Sequence, residues 1–229
     1  MKNLLIYISQ NKKFDEENAK YIKIQIENSL HYWDRDDIML CTNFPYEHMG
    51  VKSTVILDDM HSDLSCCVIK VNVIVYLLEL GILKDTAWFH DTEAWQVAPL
   101  DVELEKNIGL TDYGWSKKWN GGSMFVKPES LEMLRMWKRA IHKHRTDDER
   151  ALMKLTETNV DDINSHIQRM NITYNVGKRR VDENMARADK PVKVFHFHPY
   201  RENLLEKFYH RLPQNLKELM YENDPYNRS

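Results

Sequence analysis

Trp88-Phe89-His90-Asp91-Thr92-Glu93-Ala94-Trp95 is the stretch on which the fold is decided. Residues 86–90 are short, apolar and aromatic, which reads as a buried strand, and they run directly into two acids separated by one residue. In an extended segment residues two apart point to the same side, so the Asp91 and Glu93 carboxylates converge on one point. Ligands of open α/β sheets bind outside the carboxyl ends of strands, which is where these acids fall. Two hard oxygen donors with open positions suit Mg²⁺ or Mn²⁺, and such an ion would offset charge on a departing diphosphate. Taken alone, an acidic turn after a strand is the plainer interpretation of the pair.

Upstream, residues 4–9 form an apolar run that reads as a first strand. Residues 15–31 then carry Ala19, Ile22, Ile26 and Leu30 at helical spacing behind acidic residues. Short β-forming runs at 37–42 and 53–57 precede a long apolar helix over 65–83. This alternation predicts an α/β sheet with helices on its faces. Downstream the pattern gives strands at 107–111, 123–126, 171–174 and 192–197, and helices at 129–142, 148–155 and 161–170. A last helical stretch over 202–221 is interrupted by Pro213. No repeat and no linker divides the chain, so one compact domain is the economical reading.

Composition removes several function classes. The 229 residues contain only 7 glycines, where average usage of about 7% would give roughly 16. Neither G-x-G-x-x-G nor G-x-x-x-x-G-K-[ST] occurs, so glycine-cradled phosphate sites are excluded. A net charge of −3 with both signs interspersed argues against a nucleic-acid partner. Cys41, Cys66 and Cys67 sit in apolar surroundings and read as reduced core thiols, which implies a cytoplasmic protein. The N-terminal apolar run is too short for a signal peptide, and Lys70, Asn72 and Glu79 make residues 66–83 a buried helix rather than a membrane span.

Further constellations follow the acid pair. His196 and His198 alternate with aromatics in Val194-Phe195-His196-Phe197-His198-Pro199, so both could face a metal or an anionic oxygen; a core histidine bonded to a backbone carbonyl is the alternative for either. Trp119-Asn120-Gly121-Gly122 stands directly before a strand, where a ligand can approach closely and Asn120 could read a sugar hydroxyl, or where the chain makes a tight turn. Asp148 and Glu149 open a helix, which complements its dipole, and either could orient a hydroxyl or act as a general base. Lys178-Arg179-Arg180 is a basic run suited to a diphosphate, or else a solvated face as most such runs are. Trp33, Trp88 and Trp137 fall on apolar faces, whereas Trp95, Trp115 and Trp119 flank the candidate site and could form an acceptor platform.

In this order the features resemble a glycosyltransferase of the GT-A fold, of the small metal-dependent type related to glycogenin and the bacterial galactosyltransferases. The resemblance spans residues 4–200 and rests on short motifs in sequence rather than extended identity. It implies a single α/β domain with a mixed central sheet flanked by helices: a Rossmann-like nucleotide-binding half (1–98), a sugar and acceptor half (99–201) and a C-terminal helical tail (202–229). Asp91 and Glu93 match the family's D-x-D, which holds Mn²⁺ or Mg²⁺ against the donor diphosphate. His196 matches the late histidine of that metal site, with His198 as the alternative. Asn120 and Gly122 match the N-x-G of the sugar pocket, Asp148 or Glu149 the acidic helix start near the acceptor, and Lys70 a basic residue approaching the donor. Ser9 and Gln10 lie where the family meets the nucleotide base.

The chain departs from the pattern in two places. Glu93 replaces the second aspartate, and His198-Pro199-Tyr200-Arg201 replaces Gly-x-x-Lys-Pro-Trp, leaving Arg201 to supply the missing cation. The implied reaction moves a hexose from a nucleotide-diphosphate sugar, UDP-linked, to a carbohydrate or glycoconjugate hydroxyl. The glycogenin-like order implies a retaining enzyme; an inverting one would use Asp148 or Glu149 as base. Three rivals remain: a sugar nucleotidyltransferase, which would want a glycine-rich loop where Gln10-Asn11-Lys12-Lys13-Phe14 stands; a metal-dependent phosphoesterase built on His90, Asp91, His196 and His198; and a non-catalytic carbohydrate-binding protein of the same fold.

Overall fold

The structure, a computed structural model, describes residues 1–56, 60–62, 64–113, 118–177, 180–197 and 204–223. Its centre is a mixed eight-stranded sheet. β1 (Lys2–Tyr7) lies between β2 (Ile38–Thr42) and β5 (Ala87–His90), parallel to both. β4 (Val51–Val55) extends β2 in parallel and is edged by β3 (Glu47–His48). On the other side, β8 (Trp119–Val126) runs antiparallel to β5 and to β7 (Ile108–Asp112), and β9 (Ile167–Arg169) closes the sheet parallel to β7. A separate three-stranded sheet joins β10 (Val176–Gly177), β11 (Val194–His196) and β6 (Ala94–Gln96).

Period-two alternation assigns each strand residue to a face. Leu4, Phe89 and Met124 pack with α2 (Ile69–Glu79), α3 (Leu131–His144) and α4 (Asp148–Glu157). Leu5 and Leu40 face the other way, onto Ile22 and Ile26 of α1 (Glu16–Ser29). α2 is apolar nearly all round because the sheet covers one side and α3 the other. Asp15 starts α1 by accepting the Asn18 N–H at 2.7 Å, a capping bond worth about 1 kcal/mol. The small sheet buries Trp95, Phe195 and Phe197 against Tyr21 and Ile24 of α1 and against Leu204 and Leu216 of α6 (Leu204–Phe208) and α7 (Gln214–Glu222). Pro213 separates those last two helices, as its missing N–H predicts.

Several elements differ from the sequence reading. Asn120, Gly121 and Gly122 lie within β8, because β7 and β8 keep pairing beyond a register shift at Leu110/Thr111. The helix expected over 161–170 is a 3₁₀ segment, Val160–His166, followed by β9. Asn159, Asp161 and Asp162 adopt left-handed backbone there, an option open to short polar side chains that compete with helix. The strand expected over 171–174 is a 3₁₀ turn, because the Asn171 side chain accepts the Thr173 N–H at 2.8 Å. Cys66 and Cys67 are exposed at the turn that precedes α2, and only Cys41 is a core thiol. A seven-residue helix, α5 (Val181–Arg187), follows β10. Among the described residues no helix is long and apolar enough to cross a membrane.

Candidate active site

The acid pair emerges where β5 leaves the large sheet for β6 of the small one. Residues 91–93 form a turn rather than extended chain, closed by the Ala94 N–H on the Asp91 carbonyl at 3.0 Å. The chain must change sheets within three residues, and the turn does this while keeping both carboxylates on one side. His196, more than a hundred residues later, joins them because β11 is antiparallel to β6 with His196 opposite Ala94. One ligand atom from each of Asp91, Glu93 and His196 lies within 4.8 Å of the others. His196 Nε2 is 3.8 Å from Asp91 Oδ2 and 4.0 Å from Glu93 Oε1.

Hydrogen bonding fixes which ring nitrogen faces the acids. His196 Nδ1 donates to Asn175 Oδ1 at 3.0 Å, and the Asn175 amide nitrogen is itself taken by Thr111 Oγ1 at 3.1 Å. Nε2 therefore faces the carboxylates, the arrangement in which a metal-ligating histidine is held by an outer hydrogen bond. Burial, helped by the neighbouring Asp91 charge, pushes the Glu93 carboxyl up to about 7. Two converging carboxylates and an imidazole nitrogen form a donor set that fits Mn²⁺ or Mg²⁺.

The glycines of β8 form the wall of this cluster. A Cβ on Gly122 would stand 2.7 Å from Asp91 Oδ2 and 2.8 Å from His196 Nδ1. On Gly121 it would stand 2.9 Å from Asp148 Oδ2 and 3.2 Å from Lys70 Nζ. A side chain at either position would force these groups to shift. Asn120 turns its Oδ1 onto the Gly122 N–H at 2.9 Å, so its carbonyl oxygen braces this wall.

Lys70, buried on α2, links the acid turn to α4. Its Nζ lies 2.9 Å from Asp148 Oδ2, 3.7 Å from Asp91 Oδ1 and 5.5 Å from the Phe89 ring. Burial alone would lower its pKa, but the Asp148 and Asp91 charges outweigh that and hold it well above the ordinary lysine value. Burial raises the Asp148 carboxyl, against the pull of Lys70. Glu149 turns away from the acid turn: it accepts the Tyr113 hydroxyl at 2.6 Å, meets Lys118 Nζ at 2.7 Å and takes the Gly121 N–H at 3.4 Å. It thus ties together the two ends of the β7–β8 connection. Burial and the Glu149 charge push the Tyr113 phenol far above its ordinary value.

The remaining candidates are scattered. Both the N–H and the carbonyl of Ser9 are held by the Asn43 side chain, at 3.0 and 2.8 Å, just past the end of β1, and Gln10 is exposed. Trp95 is fully buried and offers no platform, whereas Trp119 is half-buried with the Arg169 guanidinium 5.5 Å over its ring. His90 is buried behind the turn rather than beside the carboxylates, with its ring bonded to Asn3 and the Ala94 carbonyl, which takes one group from a phosphoesterase built on four. His198, Arg201, Trp115, Lys178 and Arg179 lie outside the described residues, while Arg180 pairs with Glu183 at 3.1 Å. Asn175, Thr111, Tyr113 and Lys118 escape a sequence reading because each acts through a partner 21 to 64 residues away, or across the β7–β8 connection.

Solved structures of low sequence identity share this architecture. A glycosyltransferase involved in glycosylation of the major capsid of PBCV-1 superposes with a TM-score of 0.59 at 12% identity, covering 91% of this chain and 100% of that one. GlyE of Streptococcus pneumoniae gives 0.59 at 12%, covering 96% and 62%. The galactosyltransferase LgtC, solved with donor and acceptor sugar analogues, gives 0.55 at 12%, covering 97% and 96%. No protein-family model and no curated protein matches the sequence. The fold is the GT-A fold of glycosyltransferases, an α/β architecture with a mixed central sheet flanked by helices.

Proposed function

We propose that this chain is a metal-dependent glycosyltransferase that moves a hexose from a nucleotide-diphosphate sugar, UDP-linked, to the hydroxyl of a carbohydrate or glycoconjugate. The observation that carries the reading is the convergence of Asp91, Glu93 and His196 Nε2 at the end of β5, on a GT-A fold. Asp91, Glu93 and His196 would hold Mn²⁺ or Mg²⁺, which when bound supplies Lewis-acid charge to a leaving diphosphate. Lys70 keeps its proton and adds a fixed positive charge beside Asp91. Asp148, held by that lysine, faces the gap left by Gly121 and orients sugar hydroxyls there. Asn120 and Gly122 shape the pocket, Ser9 and Gln10 receive the base, and His198 and Arg201 belong to the same assignment.

Glu149, committed to Tyr113 and Lys118, positions the β7–β8 connection instead of acting as a base, which favours the retaining outcome. The division into donor-side residues 1–98 and acceptor-side residues 99–201 belongs to this reading. So does a cytoplasmic, reducing compartment, which suits three free cysteines, two of them exposed. The test is thermal denaturation with UDP, GDP or ADP, each with and without Mn²⁺. A ligand that binds only the native state raises the Tm, so UDP with Mn²⁺ should raise it in the wild type and not in Asp91→Ala. No shift with any nucleotide, together with wild-type behaviour of Asp91→Ala, would remove the reading.

A further inference from the structure

The acid turn is gripped from behind by side chains that never reach the site. Period-two alternation puts Trp88 and His90 on the α1 face of β5, opposite Phe89, and the two rings stack with centroids 3.9 Å apart. His90 Nδ1 meets only carbonyls, Ala94 O at 2.9 Å and Asp91 O at 3.3 Å, so it is the donor. The other ring nitrogen, Nε2, lies 2.8 Å from Asn3 Oδ1; with Nδ1 as the donor, Nε2 needs a donor opposite it, which the Asn3 amide supplies when turned about, its oxygen then accepting the Ser29 hydroxyl at 2.9 Å. From the same helix, Gln25 Nε2 donates to Thr92 O at 2.7 Å and to Ala94 O at 2.9 Å.

The side chains of Asn3, Gln25, Ser29, Trp88 and His90 are buried, none of these residues more than 2% exposed. Gln25 Oε1 is left without a hydrogen-bond partner, although such a buried orphan is costly. The amide cannot flip, because both turn carbonyls need its nitrogen. Three carbonyls of the turn, those of Asp91, Thr92 and Ala94, are therefore held from the α1 side, while the Asp91 N–H is fixed from β8 by the Gly122 carbonyl at 2.9 Å.

We infer that His90 and Gln25 are positioning residues for the metal site: by pinning the carbonyls of the 91–94 turn they set the direction of the Asp91 and Glu93 carboxylates towards His196. This rests on the metal reading above. Outer residues that orient metal ligands typically govern affinity by about 10–100-fold, and the two side chains here act on both carboxylates at once.

The experiment measures Mn²⁺ binding by electron paramagnetic resonance with UDP present, in the full chain. His90→Phe keeps the stack on Trp88 and the ring volume but loses the donor; His90→Asn keeps a nitrogen donor near the Nδ1 position but loses the stack. Gln25→Met keeps length without a donor. The dissociation constant should rise about 10–100-fold in His90→Phe and Gln25→Met and stay within about threefold of wild type in His90→Asn. A residue that merely fills the core would give the opposite order, with Phe tolerated and Asn not, and that order overturns the inference. Should His90→Phe fail to fold, Gln25→Met against His90→Asn decides the same question, and wild-type affinity in Gln25→Met overturns the inference. Wild-type protein that binds no Mn²⁺ overturns the metal reading and this inference together, whereas wild-type binding with unaltered variants overturns the inference alone.

Discussion

Asp91/Glu93 and Asp148/Glu149 are two acid pairs around one lysine, and their surroundings are opposite. Each member of the second pair has its own cation: Lys70 stands 2.9 Å from Asp148 and Lys118 stands 2.7 Å from Glu149, which also accepts the Tyr113 hydroxyl. The first pair shares Lys70 with Asp148, at 3.7 Å from Asp91, and faces His196 Nε2 at 3.8 Å from Asp91 and 4.0 Å from Glu93. Carboxylates neutralised in place act as struts. The Asp91 and Glu93 carboxylates instead converge with His196 within 4.8 Å, an arrangement that can take up a bound cation.

The largest effect should come from breaking the charged member of that contrast. Asp91→Ala removes the carboxylate that Lys70, Gly122 and His196 all surround, and the proposed hexose transfer should fall by about 100–1,000-fold in kcat, as when a preorganised charge stabiliser is lost. Chelation of divalent ions should do the same to the wild type, and re-addition of Mn²⁺ should restore it. Activity that survives both treatments would place Asp91/Glu93 among the struts.

Next is the shared lysine. Lys70→Met leaves Asp148 buried without its cation, which should cost about 3–5 kcal/mol of stability in urea denaturation at neutral pH. The pH dependence has a definite sign. An unpaired, buried Asp148 has a folded pKa raised above its unfolded value, so the folded state binds more protons and the variant regains stability as pH falls. Constant destabilisation across the acid range would mean that Lys70 supports packing, not charge.

A smaller loss should follow Gly122→Ala, whose Cβ would crowd Asp91 Oδ2 at 2.7 Å while leaving both acid pairs chemically intact. Mn²⁺ affinity with UDP present should fall by about a hundredfold or less, as for a displaced ligand shell, and Gly121→Ala, which crowds Asp148 and Lys70, should instead act mainly on stability. If the two variants affect the same observable equally, the two pairs are one network rather than two.

How much of this was legible in sequence follows from the range of the interactions. Strands β1, β2 and β5 show themselves because buried parallel strands are near-continuous runs of apolar, β-branched or aromatic residues, and β4, largely unburied, shows itself by β-branched Val51, Thr54 and Val55. Asp91 and Glu93 are readable as neighbours in the chain, and His196 as the late member of an ordered set of motifs. What the sequence misplaces is set by local side-chain bonding or by distant pairing. Asn171 and the Asn159–Asp162 cluster override helix and strand propensity within a few residues. The Tyr113–Glu149–Lys118 strut, the Asn175 support of His196 and the burial of Trp95 depend on which strands meet, and no periodicity records that.

The smallest expected effect asks how far the Lys70 charge reaches once Asp148 has engaged it. Cys66 lies in the 3₁₀ turn that leads into α2 and Lys70 in the first turn of that helix, near enough for the lysine charge to act on the thiol. The Cys66 thiol is pushed down to about 6, first by the hydrogen bond with Cys67 and only to a lesser degree by Lys70, while burial and Asp91 oppose the shift. Cys67, which keeps the shared proton, is pushed up. Since the thiolate is the nucleophile, iodoacetamide labelling of Cys66 should climb as pH rises through about 6 and level off by neutral pH, with Cys67 unlabelled over that range and Cys41, pushed up to about 12 by burial, inert. Cys67→Ala should move the Cys66 midpoint up by more than Lys70→Met does. Equal shifts would mean that the Lys70 field extends past Asp148 undiminished, and the first acid pair would then be less in need of an external cation than its geometry implies.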